Sequence, residues 1–180
     1  FQVSFNPGEG APPALRGCFL VKQDDGFSIP ITVYGDWADH RGDVAFAATS
    51  AAEIPEPYRR LDDVGATNGK CVFFDTAEGQ FSSASNRVCL AYGVDVPMGG
   101  MWFLSARIKS QSPTSEHDSC YFALDDGPIQ RIDLSTSEAW TWSPFKSFKL
   151  EPCRHRLRIY PRETGVYWDR FALARSWVKN

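Results

Sequence analysis

The chain begins at Phe1, with no initiator methionine, no charged-then-apolar leader and no long apolar run. No stretch approaches the roughly 18 apolar residues that a membrane-spanning helix needs, so no membrane association is expected. A start without a leader is expected of a mature or excised segment, and it carries no information about export. Positive charge is not in excess either: 19 Lys and Arg stand against 22 Asp and Glu, a formal net charge of −3. That balance gives no support to nucleic-acid binding, which calls for a basic patch. No C-x-x-C pair occurs among the five cysteines (Cys18, Cys71, Cys89, Cys120 and Cys153), which argues against a zinc cluster. Phosphate loops, H-E-x-x-H and cofactor fingerprints are also missing.

An odd cysteine count leaves at least one thiol unpaired in a monomer. Cys71 and Cys89 lie in two strand-like runs, KCVFF and NRVCLAY, joined by a polar loop. Either they face each other across a hairpin as a disulfide, or they are buried free thiols, which are common. The cysteine count makes a secreted location the expectation.

At 180 residues there is length for one sizeable core and too little for two comfortable domains. The hydrophobic share, 43%, is ordinary, but aromatics at 14% are many, which suggests a sandwich core or an aromatic recognition surface. Helical periodicity is nearly absent and alternation of period 2 takes its place. In MWFLSARIK, Trp102, Leu104, Ala106 and Ile108 share one face; Phe103, Ser105, Arg107 and Lys109 share the other. In CRHRLRIYPR, His155, Leu157 and Ile159 alternate with Arg154, Arg156, Arg158 and Tyr160. CYFALDDG and GVYWDRFALA read the same way, and GCFLVK, SIPITVYG, DVAFAAT, KCVFF and NRVCLAYGV bring the count to about nine strands. One short helix is conceivable in AAEIPEPYRRLDD, limited by its prolines. The expected architecture is all-β, a two-sheet antiparallel β-sandwich over residues 17–180, preceded by a Gly- and Pro-rich arm or linker at 1–16.

From about Asn68 to Leu173 an ordered set of features stands out: NGKCVFF, GGMWFLSARIKS, YFALDDGPIQ, AWTWSPF, FKLEPCRHRLRIY and PRETGVYWDRFAL. Together they resemble the galactose-binding-like jelly roll of carbohydrate-binding modules, especially those similar to families 6 and 35, and malectin-like domains. The resemblance covers roughly the last 105 residues. It implies a β-jelly roll that binds a polysaccharide or oligosaccharide without cleaving it, with a catalytic domain in the same parent chain and a secreted, extracellular or periplasmic location. It maps a ligand platform to Trp140, with Trp142 as neighbour, and a contributing residue two places before the last-strand aspartate to Tyr167. It also implies a structural Ca²⁺ on Asp169. Alanines occupy the expected acidic positions of DVAFAATSAAE, which leaves Glu53 as the substitute ligand.

The residues supply their own reasons for these candidates. Indole faces stack on sugar C–H patches, and Trp140 and Trp142 at i and i+2 share a side if extended. The alternative is that one or both pack beneath a neighbouring loop. Trp102 keeps the phase of Leu104 and Ile108 and is expected in the core. Asp169, in phase with Phe171 and Leu173, needs a partner if buried: an arginine, with Arg162 near in sequence, or calcium. Arg154, Arg156 and Arg158 form a stripe that Arg107 and Lys109 are expected to extend, which makes Arg156 and Arg158 candidate ligands for an acidic polysaccharide. The ordinary reading is a solvated face paired with neighbouring acids.

Catalytic readings have less behind them. His117-Asp118-Ser119 is contiguous, so its side chains diverge and cannot form a triad by themselves. His155 has core phase. Glu163 with Asp169 would need a cleft to act as a glycosidase pair, and Glu163 is expected to set the turn into the last strand. The leading expectation is therefore a non-catalytic carbohydrate-binding module. A β-sandwich spacer packing on a catalytic domain, or a small lyase or hydrolase, are the alternatives.

Overall fold

The computed structural model describes residues 14–22 and 28–36 as backbone strands, and residues 43–74, 88–112 and 116–178 with their side chains. Two units are compact by themselves, Phe1–Gly42 and Asp43–Asn180. The first carries β1 (Ala14–Lys22) and β2 (Ser28–Asp36), paired antiparallel with Ala14 opposite Asp36. GCFLVK and SIPITVYG thus pair with each other in the first unit, and the second unit begins at Asp43. Of the expected arm, residues 1–13 lie outside the described residues.

The second unit contains β3 (Val44–Ala47), β4 (Tyr58–Asp62), β5 (Lys70–Phe74), β6 (Leu90–Asp95), β7 (Gly100–Ser110), β8 (Ser119–Leu124), β9 (Gln130–Asp133), β10 (Thr141–Leu150), β11 (Arg154–Tyr160) and β12 (Val166–Ala174). One sheet runs β10-β7-β12-β5-β4, with β3 also on β12; the other runs β6-β11-β8-β9. Every pairing is antiparallel. This is the two-sheet sandwich that the alternation implies, in the jelly-roll form that the resemblance implies.

The period-2 pattern decides which side chains meet between the sheets. Trp102, Leu104, Ala106 and Ile108 of β7 are all at most 1% exposed, as are Leu157 and Ile159 of β11. Aromatic contacts join the layers: Phe122 of β8 meets Phe145 of β10 at 5.9 Å, and Tyr92 of β6 meets Phe171 of β12 at 5.2 Å between centroids. Such pairs add about 0.5–1.5 kcal/mol beyond area burial. Two buried tyrosine hydroxyls are satisfied as they must be, Tyr58 donating to the Ile159 carbonyl at 3.2 Å and Tyr92 to Ala48 at 2.8 Å.

Two β-bulges break the alternation. Between β10 and β7 the register slips at Pro144/Lys146, which turns the extra residue, Phe145, into the core. Pro144 is tolerated because β10 is an edge strand. Between β12 and β7 it slips at Trp168/Arg170, so Asp169 is the extra residue. Trp168 and Phe171 keep facing the core, and Asp169 leaves the inward phase that simple alternation gives it.

Three expectations are corrected. AAEIPEPYRRLDD holds no helix: a 3-10 turn at Ala48–Ser50 precedes it, and its end becomes edge strand β4. Pro55 and Pro57 withhold the amide donors a helix would need. Strands β9 and β10 also lie beyond the expected nine. Cys71 and Cys89 do not face each other, because β5 belongs to one sheet and Cys89 leads into β6 of the other. Cys71, Cys89, Cys120 and Cys153 are all free thiols.

The ring cluster around Phe171, which touches Phe46, Tyr92, Phe145 and Trp168, predicts a large truncation penalty. Phe171→Ala should cost about 3–5 kcal/mol in urea unfolding. Val64→Ala, at a fully exposed position, should stay within about 0.5 kcal/mol of wild type.

Candidate functional site

Trp140 immediately precedes β10, and Trp142 pairs with Arg107 of β7. Tyr167 of β12 lies between Lys109 of β7 and Phe73 of β5. Residues directly opposite in a ladder share a face, and Ala106 and Ile108 occupy the core side. Trp142, Arg107, Lys109, Tyr167 and Phe73 therefore share the face turned from the core. Trp140 joins them: the Lys109 ammonium lies 5.1 Å and the Arg107 guanidinium 5.4 Å from its ring centroid. The same Lys109 ammonium is 4.9 Å from the Tyr167 ring, which itself stacks on Phe73 at 4.4 Å. Trp140 and Tyr167 thus flank one cation.

The β4–β5 loop completes the cluster. It is closed by backbone hydrogen bonds from Asp63 to Gly69 (2.9 Å), Ala66 to Asp63 (3.1 Å) and Gly69 to Ala66 (3.0 Å). Asp63 Oδ1 accepts the Gly65 N–H at 2.8 Å, an Asx turn, and the Trp140 indole N–H at 3.3 Å. Its Oδ2 pairs with Lys109. The Lys109 hydrogen bond holds the Asp63 carboxyl below its usual range, against partial burial and with help from Gly65 and Trp140. Gly65 is required by a close approach: a Cβ there would sit 2.9 Å from Trp140 Cδ1 and Nε1. Trp140 is half-buried as a result, its N–H engaged and one edge on the loop.

Asp169 carries this loop. It is 1% exposed, its Oδ1 accepts the Thr67 N–H at 3.0 Å, and its Oδ2 accepts the Thr67 hydroxyl at 2.7 Å and Arg107 Nη1 at 2.5 Å. The buried carboxylate has an arginine partner, as expected, but the partner is Arg107 in place of Arg162. Arg162 pairs instead with Glu163 and donates to the Ser119 hydroxyl. The calcium expectation does not fit these residues. A guanidinium and two Thr67 donors fill both Asp169 oxygens, Glu53 is exposed, and no cluster of three His, Cys, Asp or Glu suited to a metal occurs among the described residues.

The arginine stripe lies elsewhere. Arg154, Arg156 and Arg158 sit on β11, in the second sheet, so Arg107 and Lys109 do not extend it. Arg158 donates to the Asp125 carbonyl and lies 6.0 Å from the Tyr160 ring. His155 is the satisfied core histidine that its phase implies: 8% exposed, with Nδ1 2.7 Å from Asp125 Oδ2 and Nε2 2.9 Å from the Glu151 carbonyl. Burial works against its charge, but the bonds to Asp125 and Glu151 raise its pKa on balance. Glu163 sets the turn before β12, accepting the Asp118 N–H at 3.0 Å and Arg162. His117 Nδ1 contacts the Thr164 carbonyl at 2.6 Å. Glu163 and Asp169 are thus both engaged in structural bonds.

Sequence reasoning did not find Asp63, Gly65 or Thr67. DDVGATNG announces a turn, but nothing in it says that the loop meets a tryptophan far along the chain.

The fold has solved counterparts. A family 35 carbohydrate-binding module from Clostridium thermocellum superposes with a TM-score of 0.57 at 17% identity, over 73% of this chain and 98% of that one. A carbohydrate-binding module from Cellvibrio mixtus lichenase 5A, solved in complex with cellotriose, gives 0.54 at 18%, over 74% and 97%. The Podospora anserina beta-(1,4)-mannanase gives 0.55 at 15% over 77% of this chain, which spans only 29% of that enzyme. No family model matches the chain, and no curated protein does. At these identities what is shared is the fold, a jelly-roll β-sandwich.

Two measurements test this geometry. Arg107→Ala leaves Asp169 buried without its cation and should cost about 3 kcal/mol, the low end for a broken buried pair because Arg107 is a quarter exposed. Adding Asp169→Asn should recover part of that loss, read as a positive coupling in a double-mutant cycle. For Asp63, a lowered folded pKa means stability that is full above its unfolded value of about 3.8 and lost as pH falls through the lower folded value. The Tm advantage of wild type over Asp63→Asn should therefore hold at neutral pH and shrink below about pH 4.

Proposed function

We propose that residues 43–180 form a non-catalytic carbohydrate-binding module that holds a polysaccharide against Trp140 and Tyr167. The parent chain would be a secreted, polysaccharide-degrading enzyme. The observation that carries this reading is the pair of aromatic rings flanking the Lys109 ammonium, 5.1 Å and 4.9 Å away, on a sheet face turned from the core. A pyranose needs an apolar face to stack on and charged or polar groups at the rim for its hydroxyls. Trp140 and Tyr167 supply the first, and Lys109, Asp63 and Arg107 the second. Trp142, opposite Arg107, extends the platform. The cellotriose complex formed by the Cellvibrio mixtus module adds support at the level of fold.

A second reading, a spacer that docks on a catalytic domain, draws on another observation. Met98, Met101 and Trp177 are apolar and 46%, 48% and 38% exposed, and Trp177 packs edge-on against Phe103 at 4.9 Å. Met101 and Phe103 share their face of β7 with Arg107 and Lys109, so this patch lies farther along the same sheet face as the aromatic site.

Affinity electrophoresis through gels of neutral polysaccharides tests the first. Wild type should be retarded by at least one, and Trp140→Ala should weaken binding by about 2 kcal/mol or more while keeping the far-ultraviolet spectrum of a folded sandwich. Tyr167→Ala should give a smaller loss, and saturating glycan should shift tryptophan emission in wild type. Equal retardation of wild type and Trp140→Ala would place the site elsewhere.

A further inference from the structure

We infer that the face of the second sheet turned from the core carries a separate binding groove for an anionic polysaccharide, built on Arg154 and Arg156. An open cavity of about 440 Å³ lies there, lined among others by Ala91, Gly93, Asp125, Arg154 and Arg156. Its floor is made by the smallest side chains: Gly93 pairs with Arg156, and Ala91 with Arg158. A Cβ on Gly93 would come within 2.4 Å of Arg154 Nη2 and 2.6 Å of its Nε, so any larger residue there displaces the exposed guanidinium. The Arg154 guanidinium therefore lies across the β6 backbone and walls the groove. Glycine inside a strand weakens it, so a strand glycine under a guanidinium marks a close approach.

The charges are available. Arg154 and Arg156 are both exposed, and neither side chain forms an ion pair among the described residues. Asp95 stands opposite Arg154 in the ladder without pairing with it. The one carboxylate lining the groove is already engaged: Asp125 Oδ1 accepts the Arg156 backbone N–H at 2.8 Å and Oδ2 faces His155 at 2.7 Å. Arg158, tied to the Asp125 carbonyl through one nitrogen, buttresses the groove. Two guanidinium groups two residues apart along a strand stand about 7 Å apart at the backbone, which suits successive anionic groups on an extended chain better than a single small anion. Guanidinium forks bind carboxylate and sulfate alike. On a chain of net charge −3 such a groove is a local feature, unlike the broad basic surface of a nucleic-acid binder. That the polyanion is a glycan rests on the proposed function; the arginine pair stands independently of it.

The test is affinity electrophoresis of the whole chain through polygalacturonate, dextran sulfate, polyglutamate and neutral glucan, with wild type, Trp140→Ala, Arg154→Gln/Arg156→Gln and Gly93→Ala. Wild type and Trp140→Ala should be retarded alike by polygalacturonate or dextran sulfate, and more weakly as NaCl rises. The double arginine variant should lose about tenfold or more in affinity. Gly93→Ala, which keeps both charges but pushes Arg154 aside, should fall between. Retardation by polygalacturonate alone assigns uronate, and by dextran sulfate alone assigns sulfate ester. No retardation by either, or none lost in the arginine variant, overturns the groove; equal retardation by polyglutamate overturns its assignment to glycans. Loss of neutral-glucan binding in Trp140→Ala with anionic binding intact separates this groove from the aromatic site.

Discussion

A carboxylate cannot be buried alone in a β-sandwich, and much of this molecule's candidate chemistry follows from how Asp169 meets that constraint. Desolvating an unpaired charge costs several kcal/mol, so the group must find a cation and donors or give up its charge. The bulge in β12 makes this possible by lifting Asp169 out of the inward phase while Trp168 and Phe171 stay in the core. The carboxylate then holds two things together, Arg107 of β7 and Thr67 of the β4–β5 loop. With Thr67 held, the same loop offers Asp63 and Gly65 to Trp140. A single residue inserted in a strand thus fixes a loop, and the loop fixes the indole.

The sandwich also sorts its cations. The side chains of β7 and β11 alternate alike, basic on one face and apolar on the other, and in the linear chain they look like parts of one stripe. Sheet assignment separates them. Turning both apolar faces to a common core sends Arg107 and Lys109 to one side of the molecule and Arg154 and Arg156 to the opposite side. The local settings then diverge. Lys109 is held by Asp63 between two rings, whereas Arg154 and Arg156 line an open groove floored by Gly93 and Ala91.

Alternation made the core legible in the sequence, because a period of 2 is a local property: Trp102, Leu104, Ile108, Leu157 and Ile159 lie where it puts them. What it could not carry was anything that depends on which strands are neighbours. The Cys71–Cys89 hairpin and the Arg162 partner for Asp169 assumed that closeness along the chain means closeness in the sheet, and the extended arginine stripe assumed that two runs alternating alike are neighbours in one sheet. In a jelly roll successive strands often change sheets, so that inference fails. The run EPYRRLD misled for another reason: helix-forming residues follow prolines, and pairing with β5 overrides their propensity. At the candidate site Trp140 and Tyr167 were visible as residue types, while Asp63, Gly65 and Thr67 were hidden in ordinary turn chemistry.

On the proposed function, the half-burial of Trp140 sets the terms on which a glycan would use it. An exposed tryptophan on a flexible loop would offer more ring area but would have to be ordered on binding, at about 0.5–1.5 kcal/mol for each immobilised side chain. Here Asp63 holds the indole N–H, Gly65 abuts its edge, and Lys109 and Arg107 lie near its ring, so the rotamer is set before any ligand arrives. The same clamp removes the N–H as a donor and leaves recognition to the ring surface and to the hydrogen-bonding groups of Lys109 and Asp63. The ion pair leaves spare N–H donors on Lys109 and spare lone pairs on Asp63, so on the proposed function a glycan would be held best by hydroxyls that engage both. A pair of vicinal hydroxyls, one accepting from the ammonium and one donating to the carboxylate, meets that requirement, and a flat apolar ligand does not.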